Sequence, residues 1–200
     1  MTEKYSFLDD YSEGCHEDIL AALTRTNLDQ NTAYGDDSHT LNARALIQQA
    51  MGRADVPVYF VAGGTLANII IMSASLRSHE AVIAASTGHI VVRETGAIEA
   101  TGHKIISVNT TDGKLNPALI ESTLASNAHF PHMARPKLVY ISNATELGTV
   151  YNKQELSELS ECCKSNKLIL MMDGARLGAA LTAPKNDLTL ADIASMTDIF

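Results

Sequence analysis

From residue 56 onward the chain repeats one pattern: a short apolar run, then a segment of helix length. The runs are VPVYFVAGG (56–64), EAVIAAS (80–86), HKIISVNT (103–110), PKLVYISNAT (136–145), KLILMMD (167–173) and TDIF (197–200). A strand with one wet face alternates apolar and polar residues. These runs are β-branched and apolar on both faces, so each reads as a strand covered on two sides. Between them TLANIIIMSASLR, VVRETGAIEATG, PALIESTLASN, NKQELSELSECCKSN and LTLADIASM read as helices. Crossovers of that length join parallel strands. The expected fold is therefore α/β, a mostly parallel sheet with helices on both faces.

Punctuation supports the pattern. HEDILAALTRTN opens as a helix, and SHTLNARALIQQAMG follows with Ser38 as its expected cap, Leu41, Ala45, Leu46 and Ala50 at helical spacing, and Gly52 as its stop. VVRETGAIEATG is expected to end at Gly102. Asn116 is placed to cap the next helix, with Pro117 at its first position. Leu156 and Leu159 are expected to face inward, and SNAHFPHMARP (126–136) reads as a surface loop. No internal repeat or low-complexity linker breaks the chain, so residues 1–200 read as one large domain.

Apolar residues make up 46% of the chain and charged residues 19%, as in a well-packed globule. A net charge of −8 with no basic stripe argues against nucleic acid and anionic membrane as partners. No apolar run approaches the ~18 residues of a membrane span. MTEKYSFLDDYSEG lacks the apolar stretch of a signal peptide. Cys15, Cys162 and Cys163 are too few and wrongly spaced for a zinc site or a disulfide framework; they fit reduced thiols in a cytoplasmic protein, with no metal site expected.

In open α/β sheets ligands bind beyond the carboxyl ends of the strands, so the polar residues there are the candidates. VAGGTLAN sets Gly63, Gly64 and Thr65 between a strand and a helix N-terminus, where amides, helix dipole and hydroxyl suit a phosphate. It is neither a Walker sequence nor GxGxxG, and a tight turn with a cap is the alternative. His89 follows the next strand and reads either as structural or as catalytic. Asn143, Thr145 and Glu146 follow the fourth run, where polar turn residues are common anyway. Asp173 ends an apolar strand with Arg176 three residues on; a carboxylate in a dry setting needs a donor, so an Asp173–Arg176 pair or a capping role is the simple reading. Taken together, a phosphate turn, a flat imidazole, an acid and an arginine match the needs of pyridoxal phosphate. That coenzyme requires an anion site, a stacking partner and a carboxylate for its pyridine nitrogen.

YGDDSHTLNAR, VYFVAGGTLAN, AASTGHIVVRETGAIEATGH and above all MMDGARLGAAL resemble the low-specificity threonine aldolases. These belong to the aromatic amino acid β-eliminating lyases, pyridoxal phosphate enzymes of fold type I. The resemblance runs in order along nearly the whole chain. It implies the large cofactor-binding domain of that fold, and cleavage of β-hydroxy-α-amino acids such as threonine or allo-threonine to glycine and an aldehyde. It implies that Asp173 pairs with the pyridine nitrogen. Gly63, Gly64 and Thr65 would hold the phosphate, and His89 would stack on the ring and serve as a base. Arg176 would lie near the phenolic oxygen and the substrate carboxylate. Glu146 stands where the better-known aldolases place a second histidine, which makes it either a base or the mark of another substrate. Asp9 and Tyr11 replace the small hydroxyls usual near the N-terminus. The resemblance further implies a homodimer or homotetramer with its site at an interface, for which Tyr34 is a candidate contact.

In the resembled family a lysine shortly after the strand that starts here as TDIF holds the cofactor as a Schiff base. None of Lys4, Lys104, Lys114, Lys137, Lys153, Lys164, Lys167 and Lys185 follows that run. The expectation is a C-terminally truncated domain, inactive by itself, with VPVYFVAGG missing a neighbouring strand that a partner or further chain supplies. The alternatives are a β-eliminating lyase acting on another amino acid and a non-catalytic scaffold of the same fold.

Overall fold

The fold is that of a computed structural model, which describes residues 4–6 and 13–200. Asp9 and Tyr11 lie outside the described residues. In chain order the elements are α1 (Glu17–Thr26), α2 (Ser38–Met51), α3 (Gly64–Ser75), β1 (Glu80–Ala85), α4 (His89–Val92), a 3-10 turn at Glu99–Thr101, β2 (Lys104–Val108), α5 (Pro117–Ser126), β3 (Arg135–Ser142), α6 (Lys153–Ser165), β4 (Ile169–Asp173), α7 (Leu177–Leu181) and α8 (Leu190–Met196).

The chain divides into two compact units, Met1–Asn42 and Ala43–Phe200. Within the first, α1 buries none of its residues; Ile19, Leu20 and Leu23 are exposed. The second unit carries the sheet. Its strands run in the order β2-β1-β3-β4, every pairing parallel. An isolated parallel bridge from Met171 to Ile199 continues it, placing TDIF beside β4.

Alternate residues along each strand feed two separate cores, as the pleat requires. Ile83, Val139, Ile141, Leu170 and Met172 pack with Ile120 of α5, Leu156, Leu159 and Cys163 of α6 and Ile193 of α8. Val82, Ala84, Leu138, Tyr140 and Met171 pack on the other face with Met72 of α3, Ile90 of α4 and Ile98. Each such side chain contributes ~1.5–3 kcal/mol by leaving water. The double burial explains why the runs show no polar alternation. It also pushes the Cys163 thiol up to about 12, a buried thiol resisting ionisation.

Caps fall largely where expected. Asn116 accepts from the Leu119 amide, and Asn152 with Glu155 closes a capping box on α6. Three expectations change. Asp37, not Ser38, caps α2, by accepting from the Thr40 amide at 2.8 Å. The segment 91–102 is not one helix, because Thr95 and Gly96 both take positive φ and stop it after one short turn. VPVYFVAGG forms no strand: among the described residues no other strand pairs with it, and Tyr59, Phe60 and Val61 are exposed. A strand exists only where a neighbour takes up its hydrogen bonds.

Candidate active site

The strand order fixes where a site can form. The chain leaves β1 toward β2 on one side and leaves β3 toward β4 on the other. Such a reversal opens a crevice at the carboxyl ends of the two central strands. His89, after β1, and Glu146, after β3, meet there. The His89 amide donates to Glu146 Oε1 at 3.0 Å, and Ser142 Oγ donates to the same oxygen at 2.8 Å. Glu146 is thus clamped through one oxygen by groups from both strand ends.

Beside this pair, β4 delivers Asp173. Its Oδ1 accepts from the Ala175 amide at 2.9 Å and its Oδ2 from the Tyr140 hydroxyl at 2.5 Å. Burial, then the nearby Asp173 charge, push the Tyr140 hydroxyl above its ordinary pKa, so it remains a donor. Arg176 is half-buried at the N-cap of α7.

Helix α3 runs back along the sheet, so its N-terminus stands at the same end. Gly63 precedes it with φ +101°, a conformation glycine tolerates, and no side chain caps the helix. Gly63, Gly64 and Thr65 are exposed, and nothing lies within 4 Å of where a Cβ on either glycine would sit. The first amides of a helix lack intrahelical partners, so this end is open to an anion.

One carboxylate links helix and imidazole. Glu94 Oε1 accepts from Asn68 Nδ2 of α3 at 2.7 Å and meets His89 Nδ1 at 3.0 Å. Asn68, Glu94, Tyr140 and Ser142 were not singled out by their sequence positions. The one sequence signal is Glu94 itself, an acid five residues past His89. Three of the lysines are engaged elsewhere: Lys114 with Glu155, Lys153 with Asp192, and Lys137 with the Lys167 carbonyl.

A carboxylate with two fixed donors, an open helix N-terminus, a half-buried imidazole and a clamped second acid suit pyridoxal phosphate in donor set and charge. Comparison with known proteins agrees. A beta-eliminating lyase family model matches residues 7–200. The low specificity L-threonine aldolase of Pseudomonas aeruginosa is 38% identical over 174 residues, covering 86% of this chain and 49% of that protein. The solved structure of Leishmania major threonine aldolase aligns with a TM-score of 0.95 and 54% identity, over 98% of this chain and 57% of that one. A PLP-bound C-S lyase from Staphylococcus hominis, at 12% identity and a TM-score of 0.54 over 78% of this chain and 40% of its own, shares the fold. The chain spans about half the length of the curated Pseudomonas threonine aldolases it matches.

Proposed function

Because the chain belongs to the beta-eliminating lyase family, we propose that the protein is a pyridoxal 5'-phosphate-dependent carbon–carbon lyase. Its substrates are β-hydroxy-α-amino acids, threonine or allo-threonine among them, and its products glycine and an aldehyde. The observation that carries this reading is the junction of His89 and Glu146 at the sheet's switch point, beside the doubly hydrogen-bonded Asp173.

When bound, pyridoxal phosphate supplies an electron sink for the carbanion left by Cα–Cβ cleavage. The residues of this chain do the rest. Gly63, Gly64 and Thr65 offer amides and a hydroxyl to the phosphate. Asp173 holds a proton on the ring nitrogen. Tyr140 and the Ala175 amide orient its carboxylate for this. His89 offers a flat face to the ring, and Arg176 a guanidinium to the substrate carboxylate and phenolic oxygen. Glu146 is held through Oε1, which leaves Oε2 to take the proton of the substrate β-hydroxyl. Assembly as a homodimer or homotetramer in the cytoplasm belongs to the same reading, with the fully exposed Tyr34 at the contact. Among the described residues no helix is long and apolar enough to cross a membrane.

Glu146 also favours a second reading, β-elimination from a hydroxy or aromatic amino acid. A substrate panel on the intact, cofactor-loaded enzyme separates them. Glycine with stoichiometric aldehyde is the expected product from threonine and allo-threonine; a 2-oxo acid with ammonia would replace the aldolase reading by the eliminating one.

A further inference from the structure

We propose that Glu94 is a positioning residue: it fixes the tautomer and orientation of the His89 imidazole and ties that ring to α3. The Glu94 side chain is 1% exposed, whereas the His89 side chain beside it is 34% exposed. A carboxylate so buried needs donors. Oε1 has two candidates. Asn68 Nδ2 donates to it at 2.7 Å, and His89 Nδ1 lies 3.0 Å away. An ionised carboxylate only accepts, so Nδ1 must carry the hydrogen, and in the neutral ring Nε2 is left with the lone pair.

Glu94 Oε2 has no hydrogen-bond partner among the described residues. A merely structural acid at this depth would have both oxygens satisfied. Here both bonds fall on the single oxygen that bridges α3 and His89. The open N-terminus of α3 and the imidazole are thereby held at a fixed separation by one buried group. Thermal rotation of the half-exposed ring is opposed from its hidden edge, and its outer edge always presents Nε2. What the oriented ring acts on rests on the function proposed above; the tautomer itself does not.

The test is 15N–1H correlation NMR of the histidine side chains in the cofactor-loaded protein, with His89 assigned by His89→Asn. Wild type is expected to show the Nδ1–H form. Glu94→Gln keeps a carbonyl at Asn68 and is expected to retain that form. Glu94→Met keeps the volume without an acceptor and is expected to shift His89 to the Nε2–H form or a mixture, with kcat at least ~10-fold lower, in the direction known for misoriented catalytic histidines. Should Glu94→Met fail to fold, Glu94→Asp withdraws the carboxylate by one methylene and is expected to give the same mixture. A wild-type Nε2–H signal, or a tautomer unchanged in both the Met and Asp variants, overturns the proposal. If the NMR results hold while the substrate panel yields no glycine, the function reading fails and the placement of Glu94 stands.

Discussion

The Tyr140 hydroxyl and Asp173 Oδ2 are joined by a 2.5 Å hydrogen bond that crosses the β3–β4 pair diagonally. Tyr140 lies opposite Met171, so Asp173 is two residues farther along and on the same face. That face is the one packed by α3 and α4. The pairing register alone therefore aims the acid toward the side where His89 and the open helix end stand.

Tyr140→Phe tests that bond. It removes a donor to a charged acceptor, a loss of about 1.5–3 kcal/mol in stability. Chemical denaturation should show it, with the secondary structure unchanged by circular dichroism. Asp173→Asn removes the charge itself and is expected to lower kcat by about 10²–10³ in the cofactor-loaded protein. Equal activity of Asp173→Asn and wild type would remove Asp173 from the chemistry.

Glu146→Gln separates holding from proton transfer. The amide carbonyl still accepts from the His89 amide and from Ser142, so the turn keeps its shape. The basic oxygen is gone. Steady-state kinetics should show kcat reduced by about 10²–10⁴ with the melting temperature close to wild type. A variant that melts early yet turns over normally would assign Glu146 to the scaffold instead.

A pH effect follows from Asp192. Lys153, first, and then Thr189 hold its carboxyl down to about 2, against an ordinary value of 3.8. A depressed folded-state value stabilises the fold above the unfolded value and loses that contribution as pH falls through the folded one. Asp192 also closes the capping box on α8 with Thr189. Asp192→Asn should cost about 1 kcal/mol at pH 7. The gap to wild type should narrow between pH 4 and pH 2, as read from denaturant titrations at stepped pH.

Much of this was legible in the residues. The runs EAVIAAS and KLILMMD became β1 and β4, because strands buried on both faces need apolar residues throughout. Asn116 announced its helix by a local hydrogen bond that needs no distant partner. Gly63, Gly64, Thr65, His89, Glu146 and Asp173 could be picked out as polar residues at strand and helix ends. VPVYFVAGG misled, since strand propensity makes no strand where no neighbouring strand pairs with it.

Local states and candidates can be read along the chain: which segments are helical, which are buried on two sides, which polar residues stand at their ends. Which of these residues meet is set by how the strands and helices assemble. His89 and Glu146 are 57 residues apart, and Tyr140 and Asp173 are 33 apart. Those contacts exist because the strands assemble as β2-β1-β3-β4 in one register. Periodicity and capping act over one turn of chain, whereas strand order is chosen by the packing of all layers at once; the site is a product of the second.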